Sequence, residues 1–167
     1  IHITSNKEAH TRLIKMGEEK WRCINTGYSQ LNEIKNKNFS LEKIKSKFKL
    51  IPKKPLIIFT FHPLVLSDKD LLKELNETFL SLEKLTKLNY QIIITYPNFD
   101  PGFKKIISKI KDIKKKYKDI RVYKHLGREN YHQLLYYIGK TKNGVCMGNS
   151  SSGIKEAVIF SCPAINI

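Results

Sequence analysis

After Pro55 the chain alternates between two patterns of apolar and polar residues. Short runs dominated by apolar residues are typical of strands buried in a parallel sheet, and they occur at 56–61, 91–96, 120–123, 144–147 and 164–167. Between these runs, apolar residues recur every three or four positions, which predicts helices with one buried face. The first of these helices is expected to begin at Ser67 or Asp68, and the last is a short helix at 153–160. This alternation predicts an α/β domain with a Rossmann-like parallel sheet over 52–167.

The first 51 residues follow the pattern less closely. A short strand at 1–5, a helix from Lys7 to Met16 and a strand with a turn at 21–29 are predicted. Residues 30–51 are rich in Lys and Asn and only weakly periodic, which favours a connecting segment with helical pieces.

The composition adds a strong positive charge. The 167 residues include 31 Lys+Arg and 15 Asp+Glu, which gives a formal net charge of +16. This charge makes nucleic-acid binding a candidate function. However, base readout and bidentate phosphate binding favour Arg, and 27 of the basic residues are Lys while only 4 are Arg. We interpret the lysines as a solvated surface and expect no nucleic-acid partner. A basic nucleic-acid-binding module is kept as the second alternative.

Several other classes are disfavoured. No apolar run approaches the ~20 residues of a membrane-spanning helix, so no membrane partner is expected. Cys23, Cys146 and Cys162 form no CxxC pair and are interpreted as buried, reduced thiols; we expect no metal and no cofactor. No secretory signal is visible, and a cytoplasmic location is predicted. Because 163–167 reads as the start of a strand, we expect the chain to be a fragment of a longer protein.

Distinctive polar residues concentrate in the loops that follow the predicted strands. In a parallel sheet the carboxyl ends of all strands lie at one edge, outside which ligands bind. The loops at the opposite edge are short and carry few distinctive side chains. This asymmetry predicts a binding site built from the loops 61–64, 96–102, 124–128 and 148–153.

The loop 148–153, with the sequence GNSSSG, follows a strand and opens a helix. Backbone N–H groups at a helix N-terminus and serine hydroxyls attract phosphate, and glycines let the backbone approach a ligand. Helix capping is the simpler alternative, but three serines exceed what a cap requires. Glu156, in the first turn of this helix, suits either a favourable helix-dipole interaction or an acceptor for ribose hydroxyls.

The other loops offer weaker signals. The imidazole of His62, directly after a strand, is suited either to phosphate binding and proton transfer or to a structural hydrogen bond. Asn98 and Asp100 lie in a loop bounded by Pro and Gly, where they serve either turn formation or binding of a sugar or phosphate. His125 is interpreted as structural, while the backbone of its loop offers hydrogen bonds to a planar base.

Together these loops resemble a known family. The matching segments are HITSNKEAHTRLIKMGEEKWRCINTG from His2, His62-Pro63, YPNFDPG from Tyr96, His125-Leu126-Gly127, GNSSSGIKEA from Gly148 and the final CPAINI. They resemble the UDP-N-acetylglucosamine 2-epimerases over almost the whole chain, with a loose match at 30–55. GNSSSGIKE and YPNFD point to the hydrolysing branch, which releases N-acetylmannosamine and UDP.

The resemblance implies half of a GT-B-like fold, in which two Rossmann-like domains enclose the site. Residues 1–29 are then the tail of the N-terminal domain, 30–51 the interdomain connection, and 52–167 a truncated C-terminal UDP-binding domain. The resemblance also assigns residues to the UDP-sugar. Those at the nucleotide are Ser150 and Ser151 at the diphosphate, Glu156 at the ribose hydroxyls and the backbone of Leu126 at the uracil. Those at the diphosphate and sugar side are Asn98 and the catalytic residue His62. Asn149 and Asp100 are also predicted to bind the UDP-sugar.

The implied reaction starts with removal of the C2 proton of the sugar, continues with elimination of UDP to 2-acetamidoglucal, and ends with addition of water at C2. The acid/base carboxylates are expected in the missing N-terminal part, so the fragment is expected to supply the UDP-binding half and to be inactive alone. The full-length protein is expected to act in amino sugar metabolism, with sialic acid biosynthesis as one candidate pathway. A homo-oligomer is one candidate assembly of the full-length protein. A GT-B nucleotide-sugar glycosyltransferase is the first alternative.

Overall fold

A computed structural model describes residues 1–28, 34, 37–63 and 68–167 and divides the chain into two units, 1–38 and 39–167. In the first unit, strand β1 (His2–Thr4) pairs in parallel with strand β2 (Cys23–Asn25). Helix α1 (Lys7–Lys15) and a 3₁₀ turn (Lys20–Arg22) connect them. The side chain of Asn6 caps α1, because its Oδ1 accepts from the backbone N–H of Ala9 at 2.7 Å.

The second unit is a five-stranded sheet with helices between its strands. Its elements are α2 (Leu41–Phe48), β3 (Leu56–Thr60), α3 (Asp68–Lys87), β4 (Gln91–Thr95), α4 (Phe103–Lys116), β5 (Arg121–Tyr123), α5 (Gly127–Thr141), β6 (Gly144–Gly148), α6 (Ser152–Lys155), a 3₁₀ turn (Ala157–Phe160) and β7 (Ala164–Asn166). All five strands are parallel and lie in the order β5-β4-β3-β6-β7. The predicted α/β class with a Rossmann-like parallel sheet is confirmed.

The central strand β3 shows why its sequence is continuously apolar. Leu56 and Ile58 belong to a core cluster shared with α2 and α5, whereas Ile57 and Phe59 belong to a second cluster shared with α3 and α4. All four side chains are at most 1% exposed. Because helices cover both faces of the sheet, each successive residue of the strand is buried.

The segment 30–51 is predicted to be a connection with helical pieces. Its described part contains the helix α2, whose Ile44 and Phe48 pack in the core of the second unit. Residues 29–33, 35 and 36 lie outside the described residues. Ser67, one of the two predicted start positions of α3, also lies outside them. None of the described helices is both long enough and apolar enough to cross a membrane.

The single helix predicted at 153–160 is divided into α6 and the 3₁₀ turn. The backbone of the turn lies directly against α5, where a Cβ added at Gly139 would come within 1.8 Å of the Phe160 carbonyl oxygen. Ser161 then adopts a left-handed conformation with φ 52° and ends the turn. The end of this segment is thus packed so closely against α5 that only a glycine fits at position 139.

The strand order places a crevice between β3 and β6. From β3 the chain proceeds through α3 to β4 on one side, and from β6 it proceeds through α6 to β7 on the other. Such a reversal opens a crevice at the carboxyl ends of the two strands, where open α/β sheets bind ligands. The loops after β3 and β6, which carry His62 and the GNSSSG sequence, meet there.

Candidate functional site

The side chain of Asn149 joins the two loops at this crevice. Its Oδ1 accepts from the backbone N–H of His62 at 2.7 Å, and its Nδ2 donates to the His62 carbonyl at 2.8 Å. The two residues are 87 positions apart in the sequence. Asn149, predicted to contact the substrate, therefore also holds the loop after β6 against the loop after β3, a role that the sequence pattern does not predict.

His62 is held in one orientation by the loop after β4. Its Nδ1 accepts from the backbone N–H of Asn98 at 3.1 Å, so the neutral ring carries its proton on Nε2. Burial lowers the pKa of His62, and the negative charge of Asp100 acts in the opposite direction. Near neutral pH the ring is therefore uncharged, with Nε2–H as its remaining donor. The side chains of Asn98 and Asp100 are exposed beside it.

The three serines lie on the other side of the crevice. Ser150 Oγ is 3.0 Å from Ser152 Oγ and accepts from the backbone N–H of Ser152 at 3.4 Å. Ser151, at the N-cap position of α6, is exposed and makes no side-chain capping bond. Because α6 has only 4 residues, its dipole is small. The attraction for an anion predicted here therefore depends on the hydroxyls rather than on a long helix.

Tyr131 of α5 contacts this serine loop from the interior. Its Oη lies 2.8 Å from Ser152 Oγ and 3.3 Å from Cys146 Sγ. A cavity of about 150 Å³ adjoins these groups, and its lining includes Thr60, Gly148, Ser150 and Asn166. The sequence pattern gave no sign of this contact, because Tyr131 falls on the apolar stripe of its helix and reads as a core residue.

Glu156 contacts the next residue of α5. Its Oε2 is 3.4 Å from Nε2 of His132, whose side chain is 1% exposed. The side chain of Glu156 itself is 18% exposed, so it is packed against α5 and still reaches solvent. This position is compatible with the predicted ribose contact. His132, to which the sequence pattern assigned no role, adjoins a predicted binding residue.

Leu126 occupies the opposite end of the edge. Its side chain is buried, and its carbonyl accepts from Asn130 Nδ2 at 2.7 Å. It follows β5, which lies three strands from β6, so about 14 Å separates the two loops at ~4.8 Å per strand. The structure thus brings His62, Asn98 and Asn149 together beside the serines, while Leu126 lies at a distance that suits only an elongated ligand. His125, interpreted as structural, is exposed.

Comparison with known proteins shows the family of the chain. The family model described as UDP-N-acetylglucosamine 2-epimerase (Epimerase_2) matches residues 1–167. The chain belongs to this family. The resemblance inferred from the loop motifs is thereby confirmed.

Individual relatives agree with the family assignment. A Campylobacter jejuni protein described as GDP/UDP-N,N'-diacetylbacillosamine 2-epimerase (hydrolyzing) is 32% identical over 169 residues, which is 100% of this chain and 42% of the relative. The solved UDP-N-acetylglucosamine 2-epimerase from Rickettsia bellii matches with a TM-score of 0.63 at 23% identity, over 100% of this chain and 42% of the relative. The Methanocaldococcus jannaschii enzyme, solved in complex with UDP-GlcNAc and UDP, matches with a TM-score of 0.64 at 18% identity, over 98% and 44%.

The chain thus spans less than half the length of these proteins. The likeness to solved epimerases confirms that its fold is part of a GT-B-like architecture.

Proposed function

We propose that the protein containing this chain is a hydrolysing UDP-N-acetylglucosamine 2-epimerase and that residues 52–167 form its UDP-binding domain. The main support is that His62, Asn98 and Asn149 meet beside the serine loop, in the crevice between β3 and β6. The chain also belongs to the UDP-N-acetylglucosamine 2-epimerase family. The description of the M. jannaschii relative in complex with UDP-GlcNAc and UDP supports the same ligand.

Each predicted residue has a chemical role in this proposal. The hydroxyls of Ser150 and Ser151, with Asn149 beside them, bind the diphosphate, and Glu156 accepts from the ribose hydroxyls. The backbone near Leu126 binds the uracil. The remaining three residues, His62, Asn98 and Asp100, face the diphosphate and the sugar.

His62 is proposed to act when UDP leaves. Elimination after C2 deprotonation transfers negative charge to the diphosphate, and a fixed Nε2–H donor stabilises that charge. Removal of the C2 proton and addition of water require acid/base carboxylates, which we assign to a part of the protein outside these 167 residues. The chain alone is therefore proposed to bind UDP weakly and not to turn over. The protein is further proposed to be cytoplasmic and to act in amino sugar metabolism, such as sialic acid biosynthesis.

A second candidate substrate is UDP-N,N'-diacetylbacillosamine. The C. jejuni relative is described as acting on GDP/UDP-N,N'-diacetylbacillosamine, and it covers this whole chain at 32% identity. Both sugars carry a 2-acetamido group on the carbon that is deprotonated, so the same reaction applies to each. They differ at C4 and C6, which are not the reacting carbons.

The test is turnover by the complete protein without any acceptor. UDP-N-acetylglucosamine and UDP-N,N'-diacetylbacillosamine are supplied separately, and the products are followed by proton NMR. Release of UDP and N-acetylmannosamine supports the proposal, and consumption of the second sugar alone supports the second candidate. Release of UDP only when an acceptor sugar is added would favour a GT-B glycosyltransferase. No turnover under any of these conditions would reject all three.

A mutational test separates the serine site from nonspecific binding to the lysine-rich surface. The Ser150→Ala/Ser151→Ala variant is expected to lose UDP binding, because both proposed diphosphate donors are removed. The control is Ser108→Ala, on the exposed face of α4, which is expected to bind UDP like the wild type. Tight, steeply salt-dependent binding to arbitrary DNA, unaffected by the double change, would favour the basic-module alternative.

A further inference from the structure

A row of hydrogen-bonding groups runs from the interior of the sheet to the serine loop. Cys146 Sγ on β6 lies 3.3 Å from Tyr131 Oη, which lies 2.8 Å from Ser152 Oγ. Ser152 Oγ in turn lies 3.0 Å from Ser150 Oγ. The row begins at a buried thiol, since Cys146 is 7% exposed, and ends at a partly exposed hydroxyl. Its groups come from β6, α5, the first residue of α6 and the loop between β6 and α6.

One of the two possible directions of the hydrogen bonds leaves a free donor at the outer end of the row. Ser150 Oγ accepts from the backbone N–H of Ser152 at 3.4 Å, so it already serves as an acceptor. If Tyr131 donates to Ser152, then Ser152 donates to Ser150, and the hydrogen of the Ser150 hydroxyl is left to point outward. An oxygen that accepts two hydrogen bonds is a stronger donor, because successive hydrogen bonds polarise one another.

The inner end of the row is consistent with this direction. Burial raises the pKa of Tyr131 and also that of Cys146, so both groups keep their protons near neutral pH. The thiol is then a weak donor to Tyr131 Oη, and the phenol is free to donate to Ser152. A protonated phenol held between these two partners is fixed in rotation as well as in position.

We propose that Tyr131 is a positioning residue for the diphosphate of the ligand: by orienting Ser152, it directs the hydroxyl of Ser150 toward the anion. This inference rests on the proposed function, because it presumes that the serine loop binds the diphosphate of UDP. Tyr131 itself touches no part of the ligand in this arrangement. It acts through Ser152, a residue that the sequence motif did not single out.

The opposing interpretation is that Tyr131 is a core residue whose hydroxyl is incidental. Its ring does pack against the core cluster that includes Leu134, Leu135 and Ile138. That interpretation predicts that removal of the hydroxyl changes neither UDP affinity nor its dependence on Ser152. The two interpretations are therefore separated by ligand binding, with protein stability measured alongside.

The experiment is calorimetric titration of the complete protein with UDP and with uridine, which lacks the diphosphate. Tyr131→Phe removes only the hydroxyl and keeps the ring. It is expected to weaken UDP binding about five-fold and to leave uridine binding unchanged, because one hydrogen bond in the diphosphate site is lost. The matched control is Tyr137→Phe on the same helix, whose buried side chain lies outside the row and whose substitution is expected to leave both affinities unchanged.

A double-mutant cycle with Ser152→Ala tests the route. If Tyr131 acts through Ser152, the Tyr131→Phe/Ser152→Ala variant binds UDP no more weakly than Ser152→Ala alone. Ser152→Ala serves as the second variant if Tyr131→Phe fails to fold, because Ser152 is partly exposed and its removal interrupts the same row. It is then expected to weaken UDP binding and to leave uridine binding unchanged.

Three results would overturn the inference. The first is unchanged UDP affinity in a folded Tyr131→Phe or Ser152→Ala variant, and the second is additive losses in the cycle. The third is an equal loss for UDP and uridine, which would indicate a general distortion of the site. If wild-type protein binds no UDP, the proposed function fails and this inference fails with it, whereas UDP binding that is insensitive to Tyr131 removes only the inference.

Discussion

The two edges of the parallel sheet bury polar side chains for different purposes. At the amino edge, Gln91 is 5% exposed, and its amide makes four hydrogen bonds. Oε1 accepts from the backbone N–H of Ile51 at 3.0 Å and from Arg121 Nη2 at 2.9 Å. Nε2 donates to the carbonyls of Ile51 and Lys54 at 3.1 and 2.8 Å. These four bonds occupy both the oxygen and the nitrogen of the amide with partners from the chain, so neither atom is directed at a ligand.

Arg121 extends this amino-edge network to the end of α2. Its Nη1 donates to the carbonyls of Phe48 and Lys49 at 2.6 and 2.7 Å, and burial lowers its pKa. At the carboxyl edge, by contrast, the hydrogen-bonded row ends at the partly exposed hydroxyl of Ser150, and the Nδ1 bond of His62 leaves Nε2–H as the ring's remaining donor.

The comparison teaches that burial of polar groups serves the fold at one edge and, in the proposed function, prepares the ligand site at the other. At the amino edge both atoms of the Gln91 amide have two partners each, which adds stability and specificity of packing, whereas Nε of Arg121 is buried with no hydrogen-bond partner among the described residues. A network with outward donors is oriented in advance of binding, so less ordering is needed when an anion arrives. Four changes would break or sharpen this contrast.

The largest effect is expected for Gly148→Ala at the carboxyl edge. Gly148 has φ 142°, and an added Cβ would come within 1.8 Å of the Thr60 carbonyl oxygen on β3. We expect a loss of roughly 3 kcal/mol of unfolding free energy, measured by urea denaturation, and loss of UDP binding, because strain and overlap act together. The control is Gly153→Ala, whose Cβ would meet only the Ala164 Cβ at 3.9 Å. Equal stability of the two variants would contradict the prediction.

Gln91→Leu is expected to weaken the amino edge alone. Loss of the amide leaves the backbone of Ile51 and Lys54 and the guanidinium of Arg121 without that partner, at a cost of about 2 kcal/mol in urea unfolding. UDP affinity of the folded variant should equal that of the wild type. Gln133→Leu, on the partly exposed face of α5, is the matched control. A fall in UDP affinity for Gln91→Leu would show that the two edges are not independent.

His62→Asn is expected to have the opposite effect to Gln91→Leu: it should weaken UDP binding and leave stability almost unchanged. The asparagine oxygen can accept from the Asn98 backbone N–H as Nδ1 does, but no group replaces the Nε2–H donor. UDP affinity, measured by calorimetric titration, is expected to fall about ten-fold with stability almost unchanged, because a charge-assisted hydrogen bond is lost. The exposed His125→Asn at the same edge serves as control. Unchanged UDP affinity would remove His62 from the site.

The smallest effect is expected in the pH dependence of stability. Burial lowers the pKa of His62 below its ordinary value of 6.5, so the unfolded chain binds the proton first as the pH falls. This contribution to stability is fully present above pH 6.5 and decreases from there toward the lowered pKa. Urea unfolding at pH 7.5 and 5.5 should therefore show a slightly greater acid loss for wild type than for His62→Asn. Identical losses would contradict the burial effect.

Much of the fold was predictable because burial leaves a direct trace in the sequence. A strand such as β3, with each face covered, must be apolar at every position, and alternation with helices implies parallel pairing. The same reasoning predicted that the loops carrying His62, Asn98 and Asn149 lie at one edge of the sheet, and in the structure they meet there. The order of the strands did not follow from it, because alternation alone does not state which strands are neighbours.

The local geometry of the site was less predictable, since it depends on contacts between distant residues. Nothing near Asn149 indicates that its amide bonds the backbone of His62, 87 positions away. Tyr131 looks like a core residue, and its bond to Ser152 appears only when α5 lies beneath the loop. The close approach of the Phe160 carbonyl to Gly139 of α5 likewise joins residues that are distant in the sequence.

By itself, then, the sequence determined the α/β class, the buried strands, the edge at which polar residues gather and the family to which the motifs belong. The tertiary structure alone decided that β3 and β6 are neighbours, that Asn149 holds His62, and that Tyr131 supports the serines. The reason is physical: apolar periodicity records burial one residue at a time, whereas a hydrogen bond between distant residues requires both partners to be placed.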